Sequence, residues 1–237
     1  MNSIRSTDYS VHFDAIGYEG LTDYVKDVFH SNLFVLVDQN TRKHCLPILK
    51  KKTGFEDRLK VIEIPAGEKH KNLETCALIW EQMSSQGADR KSVLINLGGG
   101  VITDMGGFAA SCLKRGFRFV NIRTTLLSLV DAFVGSKTGI DLGVLLNQIG
   151  LFSSPEMVLI DQEYLKTVTA REMRSGLAEI IKYGYTFDIS LWEEIKTFES
   201  IDLPRIIPLV HKSIEIKNNV VLEDLLSLIH ISEPTRQ

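Results

Sequence analysis

Cysteine is scarce in this 237-residue chain, and the three thiols, Cys45, Cys76 and Cys112, include no CxxC pair. An odd, scattered set argues against a disulfide framework or a zinc finger and fits reduced core thiols in a cytosolic protein. The six histidines show neither HxxxH nor HExxH spacing, so no self-sufficient metal site is visible. An excess of either charge is also lacking: Lys and Arg number 27, Asp and Glu 30, and the net charge is −3. Nothing basic enough to neutralise a phosphate backbone is present, which argues against nucleic acid as the main partner. No apolar run approaches the ~18 residues that would span a bilayer. The opening MNSIRSTDYS lacks the apolar stretch of a signal peptide. With 44% hydrophobic and 24% charged residues, the composition is that of a folded protein, expected in the cytoplasm with no membrane partner. The length allows one large domain or two modest ones.

Short apolar runs alternate with amphipathic stretches over the first two-thirds. Residues 33–37, 61–64, 93–97, 118–122 and 157–160 read as strands, and 72–86 carries helical spacing through Leu73, Ala77, Trp80 and Met83. Strands separated by helix-length segments predict βαβ units on a parallel sheet. Runs such as Leu33–Val37, without polar alternation, suggest strands covered on both faces. From about Thr169 the pattern becomes helical over 170–186, 190–198 and 204–224. The expected organisation is an α/β domain over 1–168 and a helical domain over 169–225. The last dozen residues, 226–237, break the helical pattern and resemble a translated sequencing adapter. They are expected to be non-native, with the natural chain continuing past about residue 225 and an apolar face left bare along 204–224.

The segment NLGGGVITDMGGF, residues 96–108, follows a strand and should open a helix. Glycines permit a tight turn and close backbone approach, and a helix N-terminus favours a pyrophosphate. The spacing is not the strict GxGxxG, and close helix packing at Gly106 and Gly107 is the competing reading. Asp38 and Asn40 at a strand end suit a ribose or amide, or equally a turn or N-cap. Residues 67–72, GEKHKN, lie either in the ligand crevice of an open sheet or in a solvated charged loop. KRG at 114–116 and VGSKTG at 134–139 each combine a cation with flexible backbone. The phosphate-loop pattern GxxxxGK[ST] does not fit, because position 131 is aspartate. Thr124 and Thr125 suit a helix cap or a cofactor contact. Glu179 and Lys182 share a helix face in an apolar stretch, either as an ion pair or as metal and substrate contacts. Lys217 is a similar case with a stronger reading as a solvated lysine.

In order and spacing, GEKHK, NLGGGVITDMGGFAA, KRG, TTLLSLVDAFVGSKTGID, YLKT and SGLAEIIKYG resemble the 3-dehydroquinate synthases of the sugar-phosphate cyclase family. The resemblance runs from about residue 33 to residue 224. It implies a Rossmann-like NAD-binding α/β domain followed by an all-α domain carrying metal and substrate groups. It further implies a lyase using NAD and zinc or cobalt to convert 3-deoxy-arabino-heptulosonate 7-phosphate into 3-dehydroquinate and phosphate, for aromatic amino acids. By motif match, NAD contacts would fall on Asp38, Asn40, Glu68, Lys71, Gly99, Gly100, Val101, Asp104, Thr124, Thr125, Tyr164, Leu165, Lys166 and Thr167. Substrate contacts would fall on Arg115, Asp131, Lys137, Asn147, Lys182 and Lys217, and Glu179 would be a zinc ligand. Homodimers occur in the family.

This chain departs from the family pattern at several positions. Leu146 stands where a lysine is usual, Ser136 replaces a glycine, and Arg123 replaces a proline ahead of Thr124. The family's zinc histidines lie downstream of the Lys217 helix, where this chain has its adapter-like tail. Alternatives are a cyclase of the inosose or valiolone type, a polyol dehydrogenase, or a non-catalytic NAD-binding fragment.

Overall fold

The computed structural model describes residues 2–6, 8–27, 31–130, 136–198 and 202–223. The chain divides into two compact units, one of Met1–Thr124 with Ser136–Tyr164 and the other of Thr125–Gly135 with Leu165–Gln237. Residues 125–135 thus belong with the helical unit, although they precede the boundary expected at residue 168. The proposed non-native tail lies outside the described residues. No helix among the described residues is long and apolar enough to cross a membrane.

The first unit opens with β1 (Ile4–Arg5), β2 (Ser10–Phe13) and α1 (Asp14–Asp27). There follow β3 (Leu33–Asp38), α2 (Gln39–His44), α3 (Leu46–Thr53), β4 (Leu59–Ile64) and α4 (Leu73–Ser85). Then come β5 (Val93–Gly98), α5 (Gly100–Cys112), β6 (Arg118–Arg123), β7 (Lys137–Leu142), β8 (Leu145–Phe152) and β9 (Met157–Ile160). Seven strands form one sheet in the order β1-β2-β9-β6-β5-β3-β4, parallel except for β1 against β2.

The strand reading of residues 33–37 as covered on both faces holds residue by residue. Leu33, Val35 and Val37 enter one apolar cluster, with Tyr18, Leu21 and Leu49, on one face of the sheet. Phe34 and Leu36 enter another, with Ile79, Met83 and Met105, on the opposite face. The period of two along a strand divides a continuous apolar run between both faces.

The sequence reading did not foresee β1, β2 or α1, and it took residues 134–139 for flexible backbone. Lys137 instead opens β7, which pairs antiparallel with β8. Gly139 faces Gly150 across that hairpin, and a Cβ at Gly139 would stand 2.6 Å from the Ile149 carbonyl oxygen. The glycines there permit close strand approach rather than a mobile loop.

The described part of the second unit holds α6 (Leu126–Val130), α7 (Ala170–Thr186), α8 (Ile189–Ile195) and α9 (Leu203–Glu223). A capping box starts α7, in which Thr169 Oγ1 accepts from the Glu172 N–H at 3.3 Å and Glu172 Oε2 accepts from the Thr169 N–H at 3.2 Å. Gly176 lets α7 close on α6, because a Cβ there would stand 2.7 Å from the backbone nitrogen of Leu127. Of the apolar face expected to be bare along 204–224, the part from 206 to 214 is covered: Ile206, Ile207, Leu209, Val210 and Ile214 are all buried.

Candidate functional site

The C-terminal end of β5 runs through Gly98 into Gly99, the N-cap of α5, whose backbone is extended (φ −77, ψ −167). The first turn of α5 therefore presents amide N–H groups and the positive end of the helix dipole at the sheet's carboxyl edge. The glycines divide by role. Gly98 packs under Ile102, whose Cβ would lie 2.5 Å from an added Cβ, while the space beside Gly100 is open. Gly106 and Gly107 are packing positions, as the competing reading had it. A Cβ on Gly106 would overlap Asn96 Oδ1 at 1.9 Å, and one on Gly107 would stand 2.5 Å from Thr138 Cγ2.

Beside this turn Lys71 forms a closed ring of contacts. Its Nζ donates to Asp104 Oδ2 and to Asn147 Oδ1, both at 2.7 Å, and its side chain is only 4% exposed. The Lys71 carbonyl accepts from the Asp141 N–H at 2.8 Å, and Asp141 Oδ1 accepts from the Asn147 N–H at 2.7 Å. Asn147 is held with φ +54, a conformation asparagine tolerates better than most residues. Three expected site residues, Lys71, Asp104 and Asn147, thus converge from the segment after β4, from α5 and from the hairpin. A groove of about 500 Å³ borders the ring, lined in part by Glu68, Lys71, Asp141 and Leu146.

On its other side the turn is gripped by Arg123. This side chain is 4% exposed, and its Nη1 donates to Thr103 Oγ1 at 3.0 Å. Thr103 Oγ1 lies 3.3 Å from the Gly99 carbonyl oxygen and 3.2 Å from that of Gly100. Neither Thr103 nor Asp141 was foreseen as part of the site. In the sequence, Arg123 stands out only as a departure from the family's proline ahead of Thr124.

The remaining expected residues are placed as follows. Asp38 caps α2, its Oδ1 accepting from the Thr41 N–H at 2.8 Å, so the N-cap reading holds there, and Asn40 is exposed beside it. Glu68 is exposed, with Oε1 4.0 Å from Lys71 Nζ, and Val101 lies half-buried in the first turn of α5. Thr124 is buried and hydrogen-bonds the Cys45 thiol, which burial pushes up to about 12. Thr125 accepts from the Ser128 N–H at 3.3 Å and begins α6.

Tyr164 belongs to the core rather than to an open face. Tyr18 donates its hydroxyl to Asp161 at 2.9 Å and lies in hydrogen-bond contact with the Tyr164 hydroxyl at 2.8 Å, while Lys52 pairs with Asp161 and Glu163. Leu165 is buried too, whereas Lys166 and Thr167 are exposed. Arg115 is exposed beyond the C-terminus of α5, roughly 20 Å along the helix from the glycine turn. Lys137 is exposed on the hairpin, and Asp131 lies outside the described residues. Within the second unit, Glu179 pairs with Lys182 one turn along α7, and Lys217 is 6% exposed on α9.

The donor set fits a dinucleotide: open space beside Gly100, outward amides and two cations flanking one turn suit a pyrophosphate. A metal ion fits less well. Glu179, which pairs with Lys182, is the one expected ligand, and the described residues hold no group of three or more His, Cys, Asp or Glu side chains able to bind a metal.

This combination of sheet and glycine turn is the NAD-binding fold of the sugar-phosphate cyclases. The chain superposes on a 2-epi-5-epi-valiolone synthase of Streptomyces hygroscopicus, solved with NAD+ and Zn2+, at a TM-score of 0.81 and 25% identity. That match covers 97% of this chain and 65% of the other. A 2-deoxy-scyllo-inosose synthase solved with carbaglucose-6-phosphate, NAD+ and Co2+ gives a TM-score of 0.83 at 20% identity, covering 94% of this chain and 64% of that one.

Residues 61–175 match the family described as 3-dehydroquinate synthase N-terminal. The 3-dehydroquinate synthase of Parabacteroides distasonis is 38% identical over 206 residues, covering 86% of this chain and 58% of that protein. The 3-dehydroquinate synthase of Campylobacter concisus is 46% identical over 164 residues, covering 69% and 47% respectively. The chain spans about half the length of these curated relatives.

Proposed function

We propose that this chain is the NAD-binding part of a 3-dehydroquinate synthase, a carbon–oxygen lyase acting on 3-deoxy-arabino-heptulosonate 7-phosphate. Its products would be 3-dehydroquinate and phosphate, on the shikimate route to chorismate and the aromatic amino acids. The observation that carries this reading is the glycine turn at the sheet edge with Lys71, Asp104 and Asn147 assembled beside it. Bound NAD would supply a reversible hydride acceptor, whose transient oxidation of one substrate hydroxyl acidifies the neighbouring C–H and lets phosphate leave.

This chain's own residues bind and orient. The first-turn amides of α5 would hold the pyrophosphate, and Lys71 fixes Asp104 and Asn147. Asn147 is held by Asp141 at its backbone N–H and by Lys71 at its Oδ1, which fixes the direction in which its amide NH2 can donate to a hydroxyl. Arg115, Lys137, Lys182 and Lys217 are cations of the kind that receive a phosphate and a carboxylate, and Asp131 would take a substrate hydroxyl. Glu179 is one ligand of the metal that the resemblance implies. The described residues do not complete that site.

The test is calorimetric titration with NAD, alongside phosphate release from the heptulosonate phosphate. Saturable NAD binding is expected. A folded chain that binds no NAD overturns the reading, and so does NAD binding accompanied by turnover of a different sugar phosphate only.

A further inference from the structure

The helices that follow the neighbouring strands β3 and β5 leave on opposite faces of the sheet. Leu46 and Leu49 of α3 join the cluster of Val35 and Val37, whereas Ile102, Met105 and Phe108 of α5 join that of Phe34 and Leu36. In an open α/β sheet such a divergence marks the crevice at the carboxyl ends of the two strands as the place for a ligand. One bank of the crevice is the glycine turn, and the other is Asp38 with α2. Leu36 pairs with Asn96, so Asp38, two residues on, ends β3 level with Gly98 and about 5 Å from it across the ladder.

A dinucleotide with its pyrophosphate on the turn would lay its adenosine ribose over the end of β3. Asp38 Oδ1 accepts from the Thr41 N–H at 2.8 Å and from the Thr41 hydroxyl at 3.1 Å, while Oδ2 takes no hydrogen bond from the described residues. That second oxygen suits a ribose hydroxyl. Four residues on, Arg42 shares a flank of α2 with Asp38. A guanidinium so placed is the group that receives the 2′-phosphate of NADP in related sheets.

Here the guanidinium is turned the other way. Arg42 Nη1 pairs with Glu63 Oε2, and Glu63 stands opposite Val37 on β4, the strand on the far side of β3 from the crevice. Gln39 Oε1 accepts from the Ala66 N–H at 2.8 Å, which ties the start of α2 to the segment after β4. The Arg42 side chain is 58% exposed and that of Glu63 29%, so the pair adds little to stability. Its consequence is electrostatic: Asp38, Arg42 and Glu63 together carry one net negative charge, and a 2′-phosphate, itself about −2, meets repulsion.

We propose that Glu63 selects NAD over NADP by holding Arg42 away from the ribose corner that Asp38 lines. The proposal rests on the NAD-binding reading above and goes beyond it by assigning the choice of cofactor to an ion pair outside the expected contacts.

The experiment titrates NAD and NADP separately into the parent chain and into E63Q, E63A and E63Q/R42A, with thermal melts of each. The parent should bind NAD at least about tenfold more tightly than NADP. In E63Q the guanidinium is free to turn to the crevice, so affinity for NADP should rise about tenfold while that for NAD stays within about twofold. A merely structural role for Glu63 would move both cofactors together. E63Q/R42A should lose the gain.

A parent that binds NAD and NADP equally overturns the proposal. So does folded E63Q with no gain for NADP, or a gain that persists in E63Q/R42A, where removal of a negative charge alone would account for it. If E63Q does not fold, E63A decides on the same criteria, and unfolding of both overturns the proposal because the pair would then serve the fold. A parent that binds neither dinucleotide defeats the NAD-binding reading itself, an outcome distinct from a parent that binds NAD without discriminating.

Discussion

Substituting Gly106 by alanine tests whether α5 is seated on the sheet by contact with Asn96. A Cβ at Gly106 would lie 1.9 Å from Asn96 Oδ1, 2.5 Å from Asn96 Cγ and 2.9 Å from Leu36 Cδ2. The leucine tip can swing aside. Asn96 cannot do so cheaply, because it is fully buried and its Nδ2 donates to Asn121 Oδ1 at 2.9 Å. Two costs follow. Overpacking a dense interior is worth about 1–3 kcal/mol, and displacing the amide from its buried partner about 1–3 kcal/mol more. Alanine in a helix interior returns about 1 kcal/mol over glycine. The net loss is about 1–5 kcal/mol, or roughly 2–20 °C in melting temperature for a chain of this size. Urea and thermal unfolding followed by circular dichroism would measure it. The reasoning also demands coupling: in an Asn96→Ala background the new methyl meets no amide, so G106A should cost at least ~1 kcal/mol less there. A G106A protein melting within about 1 °C of the parent, or additive losses in the double variant, would refute the packing argument.

Three further outcomes are expected. Lys71→Met strips the ring of its cation and leaves the Asp104 carboxylate and Asn147 carbonyl without their shared donor. About 3 kcal/mol of stability should be lost in urea titration, together with NAD affinity. In the second unit, Gly176→Ala drives a methyl to within 2.7 Å of the Leu127 nitrogen. Backbone cannot rotate away, so the melting point should fall by an amount worth roughly 1–2 kcal/mol, less than full overpacking because alanine favours the helix. Finally, the Ser190 hydroxyl and then Lys212 hold the Asp188 carboxyl down to about 2. A depressed carboxylate stabilises the fold above its unfolded value, about 3.9. That contribution should be complete above about pH 4 and vanish as pH falls toward 2. The stability difference between parent and Asp188→Asn, measured across this window, should shrink on acidification, and a flat difference would count against it.

Much of the central sheet was legible because its signal is local and redundant. Leu33–Val37, Val93–Leu97 and Met157–Ile160 are apolar runs too short for helices, and each became a strand within a residue or two of its expected ends. The helix over 170–186 matched because its start is encoded by Thr169 and Glu172 as a capping box. The hairpin at 137–152 was missed for a converse reason. Its strand β8 is exposed along almost its whole length, so neither alternation nor a buried run marks it. Short β1 and β2 were missed because their strand character comes from pairing, β2 with β9 at Val11 and Val158, rather than from their own composition. At the site, the resemblance placed Lys71, Asp104 and Asn147 individually, but nothing in spacing alone says that three segments 33 and 76 residues apart share one ammonium group. Tyr164 shows the limit from the other side: a residue matched to a cofactor turn is tied by its hydroxyl to Tyr18 in the core.

The two cations around α5 explain why this turn tolerates its unusual neighbours. Thr103 and Asp104 are consecutive, so they point about 100° apart around the helix. Arg123 takes the first from beneath and Lys71 takes the second from the side. A helix end held by one contact can pivot about it; held by two in different directions, it cannot. Such fixation matters at a phosphate site, since the gain from backbone N–H donors depends on their being aimed before the ligand arrives. The grips also differ in kind. Lys71 spends its charge on Asp104, a carboxylate, and so contributes geometry more than field. Arg123 reaches the turn through a neutral hydroxyl, Thr103 Oγ1. Removing Lys71 should therefore disturb stability and binding together.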